Sequence, residues 1–288
     1  MKVHGKRWVL GVFALLASCQ VLLVVSYFHD QHTLAERLNS VAAAGLPPSE
    51  VTLRALELLK DLPSIDSNEQ YFLLPAFHFL RATPRQILRD GGDCADRSRL
   101  LIALLHTRNI FASKWALYSK DLRPAHSVIE VHTELGRMVV DPLFGLWFPR
   151  PGGGYYSIED LRRDPGLLYA RVRYQQSQQL QTGGANIDRY PLQVYFYGLA
   201  RTINWDKSAA EHFCYRILHA LIGSNADYIP RPIWVEQPSL IAFAMIIVLE
   251  LLLVVVVLLA KLRSRHLASR GLRVTPTAVH TPGLRQSL

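Results

Sequence analysis

Two stretches of the chain show no alternation of polar and apolar positions. Trp8 to Phe28 (WVLGVFALLASCQVLLVVSYF) holds no charge and few polar residues, and Leu240 to Ala260 (LIAFAMIIVLELLLVVVVLLA) is interrupted only by Glu250. Each is long enough to cross the roughly 30 Å hydrocarbon core of a bilayer as a helix. Between them the pattern is that of a folded domain. Residues 30–45 read as a short helical stalk. Pro47-Pro48-Ser49 opens a helix, with Ser49 as cap and Val51, Leu53, Leu56, Leu59 and Leu62 as its apolar positions, and Pro63-Ser64 ends it. A second helical stretch is expected from about Glu69 to Arg81, and Thr83-Pro84 opens a short third one. Gly91-Gly92 breaks the chain, after which Asp93 can cap a helix from Cys94 to about Arg108 that buries Leu100, Leu101, Leu104 and Leu105.

After Asn109 the period shortens. Ser113–Lys120, His126–Thr133 and Arg137–Asp141 alternate and are rich in Val, Ile, Trp and Tyr, which predicts strands, the last two joined as a hairpin near Gly136. Pro149 to Gly154 is a loop, and 157–163 and about 167–181 are helical. Asp188 to Gly223 is amphipathic and aromatic, with a helix near Ser208–Leu221. Pro230, Pro232 and Pro238 stiffen the approach to the second apolar run, and Ser264 to Leu288, rich in Pro, Thr, Ser and Arg, is expected to be disordered. No internal repeat is present. The expected fold class is α+β: helices packed on an antiparallel sheet, in a domain at 29–237 with its core at about 48–165, flanked by transmembrane helices at 8–28 and 240–260.

Composition explains the charge. Half of the 288 residues are hydrophobic and 19% are charged, and the mean hydropathy of +0.11 is high for a wholly soluble chain. The net charge of +9 is carried by the ends: Lys2, Lys6 and Arg7 before the first apolar run, and Lys261, Arg263, Arg265, Arg270, Arg273 and Arg285 after the second. The middle, with 23 basic and 22 acidic residues, is near neutral. A basic face for nucleic acid is thereby set aside. The charge marks topology instead, with residues 1–7 and 261–288 cytoplasmic and the domain on the far side of a cell membrane. A cleaved leader is the other reading of the first run. Leu16-Ala17-Ser18-Cys19 resembles a lipoprotein cleavage motif, although the chain stays apolar through Val21–Val25. With Cys19 in the apolar run, Cys94 and Cys214 remain, and a disulfide between them is one reading of Cys94.

Candidate chemistry gathers in Gly91 to Gly145: GGDCADRSRLLIALLHTRNIFASKWALY, a short loop, then HSVIEVHTELGRMVVDPLFG. A cysteine begins a helix after two glycines, a histidine begins a strand, and an Asp-Pro ends the next strand. This order resembles the transglutaminase-like superfamily of papain-type Cys-His-Asp enzymes, over roughly a quarter of the chain. The resemblance implies that Cys94 is the nucleophile, His126 the general base and acid, and Asp141 the group that orients His126, with no cofactor. Elementary chemistry points the same way. A cysteine in the first turn of a helix feels the positive end of the macrodipole, which favours the thiolate. A neighbouring imidazole adds to this, the Cys94 amide is a natural oxyanion donor, and Gly91 and Gly92 are expected to let substrate approach the backbone.

The hairpin register tests the arrangement. A turn centred on Leu135-Gly136 puts Asp141 opposite Glu130, about 13 Å along the strand from His126. The triad is therefore expected to need His126 directly opposite Asp141, a turn between Thr133 and Glu134, and Gly136 in a bulge. Some residues depart from the family or stay open. Val128 stands where the family often has an aromatic residue. Gln86 and Gln70 are both available as an oxyanion side chain. Trp115, Trp147 and Tyr118 either line a cleft or belong to the core. His78, His106, His132, His212 and His219 show no metal-ligand spacing, although His132 shares a hairpin face with His126.

The implied function is a membrane-tethered thiol enzyme that attacks an amide or ester of a peptide or cell-envelope substrate, as hydrolase or acyltransferase. The alternative is a non-catalytic assembly or binding protein built on the same fold. Glu250, mid-span, is either a neutral carboxyl or the contact for a membrane-protein partner.

Overall fold

The computed structural model describes residues 3–66, 69–77, 79–178, 187–206 and 209–271. They form two units, one from the described parts of residues 1–19 and 244–288, the other spanning Gln20–Phe243.

The first element, α1 (Val3–Asn39), is one unbroken helix, so the stalk expected at residue 30 is its continuation. Its C-terminal part carries Asp30, Leu34 and Leu38, all buried. Four-residue spacing puts them on one face. Helix α2 (Pro48–Leu59) follows, started by a proline in the first turn. The helix expected over 69–81 does not form. Instead Tyr71 bridges Arg81, and the described residues between them hold only a short 3₁₀ turn at Pro75–Phe77. Leu73, Leu74, Phe77 and Phe79 in this stretch are exposed. Helix α3 (Pro84–Asp90) is started by a Thr83–Gln86 capping box, and α4 (Cys94–His106) by the Asp93 side chain, which accepts from the amides of Ala95 and Asp96.

Strands β1 (Ala112–Tyr118), β2 (Pro124–Thr133) and β3 (Gly136–Asp141) fall where alternation put them. Two further strands complete the sheet: β4 (Leu146–Trp147) and β5 (Phe196–Arg201). The order is β4-β3-β2-β1-β5, every neighbouring pair antiparallel. Helices α5 (Ile158–Arg163), α6 (Gly166–Ser177) and α7 (Ala209–Ile222) precede α8 (Pro238–Gly271). The described part of the tail expected to be disordered from Ser264 continues α8 to Gly271. Residues 272–288 lie outside the described residues. Among the described residues the class is thus α+β, with eight α-helices and a five-stranded antiparallel sheet. Two helices are long and apolar enough to cross a membrane, Arg7–Asn39 and Pro238–Arg263.

Two apolar clusters sandwich the sheet. One joins Leu34, Leu38 and the buried residues of α2 and α4 to Ile129, Val131, Met138 and Val140. The other joins α5, α6 and Tyr190 and Tyr197 to Trp115, Val128 and Val139. Alternate residues of β2 and β3 serve opposite clusters, as the two-residue period of a strand requires.

Candidate active site

The β2–β3 register runs from Ile129 opposite Val140 to Thr133 opposite Gly136, so Glu134 and Leu135 form the turn. This corrects the expected turn between Thr133 and Glu134. Gly136, at φ +100°, pairs regularly instead of bulging. The turn is held from outside the hairpin: Glu134 accepts hydrogen bonds from both the amide and the hydroxyl of Ser49. Continued, the register puts Asp141 opposite Val128, two residues from His126. Diagonal neighbours on a strand pair lie within reach of long side chains, so direct pairing is not needed. His126 Nε2 lies 2.7 Å from Asp141 Oδ2, and both side chains are fully buried.

A carboxylate only accepts, so Nε2 carries the hydrogen and Nδ1 is left as the base. Asp141 is held in turn by its other oxygen, which accepts from the amides of Leu143 at 3.1 Å and Phe144 at 3.2 Å. Those amides exist at the right place because the chain turns straight after Pro142. The His126 ring lies flat on Tyr195, with centroids 4.2 Å apart and an interplanar angle of 4°. Phe144 meets it edge-on at 5.8 Å.

Nδ1 is buried and makes no hydrogen bond, while Cys94 lies near enough to the same ring to favour its charged form. Burial opposes a charged imidazole, but the Asp141 carboxylate, its hydrogen bond and Cys94 outweigh it and push His126 up to about 10. Cys94 itself is half-buried and carries no disulfide; Cys19 and Cys214 are free as well. The residue is thus less buried than the sealed His–Asp pair. The Asp93 carboxylate offsets part of the positive field at the start of α4, and its caps on Ala95 and Asp96 leave the Cys94 amide free of that cap.

The two glycines before Cys94 have a structural cause. A Cβ on Gly91, at φ +93°, would lie 2.1 Å from the Pro63 carbonyl oxygen, and one on Gly92 would lie 2.6 Å from the Asp96 Cβ. They bring the backbone close to Pro63: Gly92 donates to the Pro63 carbonyl at 3.0 Å. Arg97 fixes this loop from below. It is fully buried, and it donates to the carbonyls of Gly92, Leu59 and Leu62 at 3.1, 2.9 and 2.5 Å. Burial lowers its affinity for its proton, and the Asp141 carboxylate works against that. Neither Arg97 nor Tyr195 stood out in the sequence. Arg97 was signalled only by interrupting the leucine stripe of α4, three residues after Cys94. Tyr195 carried no local signal.

The remaining candidates lie elsewhere. Gln86 is spent on the capping box, its Oε1 accepting from the Thr83 amide at 2.7 Å. Gln70 Oε1 is buried without a hydrogen bond. Trp147 lines a cleft of about 640 Å³ against α2 and the β2–β3 turn. Trp115 is a core residue that also edges a second cleft of about 380 Å³. Neither cleft touches Cys94, His126 or Asp141. Tyr118 is packed under Arg201, whose guanidinium is 5.0 Å from its ring centre. His132 packs against Phe111 at 4.8 Å; His78 lies outside the described residues. Glu250 is on α8, in the other unit.

Comparison of the chain with protein-family models, with curated proteins and with solved structures gave no match in any of the three.

Proposed function

We propose that this chain is a membrane-tethered, transglutaminase-like thiol enzyme. Cys94 attacks the carbonyl of an amide or ester in a peptide or cell-envelope substrate. The observation that carries the reading is the 2.7 Å bond from His126 Nε2 to Asp141, which leaves Nδ1 for a cysteine at the start of a helix. In this mechanism the Cys94 proton passes to Nδ1, and the sulfur bonds to the carbonyl carbon while the oxygen takes up the electron pair. The Cys94 amide, which the Asp93 side chain does not cap, stabilises that oxyanion. The imidazolium returns the proton to the leaving amine or alcohol, and an acyl-thioester remains. Water or an amine then resolves it, as hydrolysis or transfer. The two apolar helices hold the domain at a cell membrane, and the basic ends favour both termini in the cytoplasm.

A second reading, a non-catalytic binding module on the same fold, draws on the sealing of His126 under Tyr195 and the absence of either Trp-lined cleft from the triad. Thiol labelling of the intact protein in membranes separates the two. Alkylation at Cys94, measured at neutral pH, is expected to be fast and to slow at least tenfold in His126→Ala, which removes the group that takes the thiol proton. Equal rates for the two proteins would favour the binding module.

A further inference from the structure

We infer that the loop from Tyr71 to Arg81 dips into the lipid interface beside α1, so that the bilayer is a docking surface for the folded unit as well as the medium of its anchor. The inference rests on the membrane-tethered part of the proposed function and not on its thiol chemistry. Residues 71–80 read YFLLPAFHFL and carry no Asp, Glu, Lys or Arg. Leu73, Leu74, Phe77 and Phe79 are between 40 and 58% exposed. Four large apolar side chains on one short loop form a patch that water disfavours and an interface accepts.

The position of the loop says what covers it. The outer part of α1 stands as a post whose buried residues mark height: Asp30, Leu34 and Leu38, about 6 Å apart along the axis. Asp30 is the lowest, two residues beyond Phe28, the last residue of the apolar run, and hence about 3 Å above it. Arg85 of α3 pairs with Asp30 at 2.7 Å. The base of the loop is fastened to that same helix start. Tyr71 bridges Arg81, Phe72 donates to the Leu80 carbonyl at 2.9 Å, and Gln86 Nε2 donates to the Tyr71 carbonyl at 3.4 Å. The loop thus leaves the domain at the level of Asp30. Headgroup regions extend roughly 5 to 8 Å beyond the hydrocarbon on each side, so that level lies within them. Past the far end of α1 at Asn39 the chain reaches Ser49, which is bonded to Glu134. Leu135 beside it is also apolar and 54% exposed, and it serves as the aqueous reference.

The full chain, with Cys19, Cys94 and Cys214 replaced by Ser, is placed in vesicles of phosphatidylcholine and phosphatidylglycerol. Nitroxides are attached singly at Leu74→Cys, Phe79→Cys, Phe28→Cys and Leu135→Cys. Collision with oxygen is compared with collision with a water-soluble nickel chelate. The oxygen-to-nickel ratio at residues 74 and 79 is expected to approach that at 28 and to exceed that at 135 several-fold. Ratios at 74 and 79 equal to that at 135, with 28 still in lipid, overturn the loop's role and leave the tether standing. An aqueous ratio at 28 overturns the tether, and the loop's role with it. Spin–spin broadening at 74 and 79, with both collision rates suppressed, assigns the patch to a second copy and also overturns the inference.

Discussion

His126 shows how neighbours decide a charge. Burial alone would strip the imidazole of its proton. The Asp141 carboxylate and Cys94 reverse that and bring the ring to about 10, and the flat Tyr195 face over it is attractive to a cation. The sign of the consequence is fixed. The folded value lies above the ordinary 6.5, so the stability contributed by the charged ring is complete below that pH and is lost as pH rises through about 10. Urea unfolding followed from pH 6 to pH 11 should therefore show stability falling through this window. Asp141→Asn removes the carboxylate and should flatten the same stretch of the curve. A wild-type curve that is already flat there would mean that the folded ring is not held charged.

Elements are set by local chemistry where their signals are local. The caps at Thr83 and Asp93 were legible because each side chain bonds amides within three residues of itself. Strands β1 to β3 were legible because their Val, Ile, Trp and Tyr content suits a sheet that packs against apolar clusters. Other features depend on partners distant in sequence. Strand β5 reads as an aromatic stretch until β1 lies beside it. The bonds that hold Glu134 of the hairpin turn come from Ser49, 85 residues away. The Phe- and Leu-rich segment before Arg81 was misread as helix because its apolar side chains face outward. Of the candidate site, the three principal residues were legible in order and context, whereas Tyr195 and the loop-holding role of Arg97 were not. The glycines give a test at this scale. Gly91→Ala meets both a left-handed backbone and the Pro63 carbonyl, and should cost about 2–4 kcal/mol. Gly136→Ala shares the positive φ but meets open space, and should cost about 1–2 kcal/mol. Equal midpoints in thermal melts of the two variants would show that the contact with Pro63 is dispensable.

At the scale of the whole molecule the open question is orientation. Single cysteines at Leu135 and Ser287, in a chain otherwise free of cysteine, can be exposed to an impermeant maleimide on intact cells. Label is expected at 135 and not at 287. The opposite pattern would put the folded unit in the cytoplasm and remove cell-envelope material from its reach.

The continuity of α1 has a further meaning for a tethered enzyme. The helix passes from the apolar residues ending at Phe28 into the docked face at Asp30, Leu34 and Leu38 without a break. No slack leash intervenes, so on the tethered arrangement the proposed nucleophile, Cys94, would work at a set altitude. Enzymes free in solution choose partners by shape, charge and hydrogen bonding. Under the proposed function this chain would also choose by elevation, meeting a scissile bond held at its own level and passing over the same bond carried higher or drifting free.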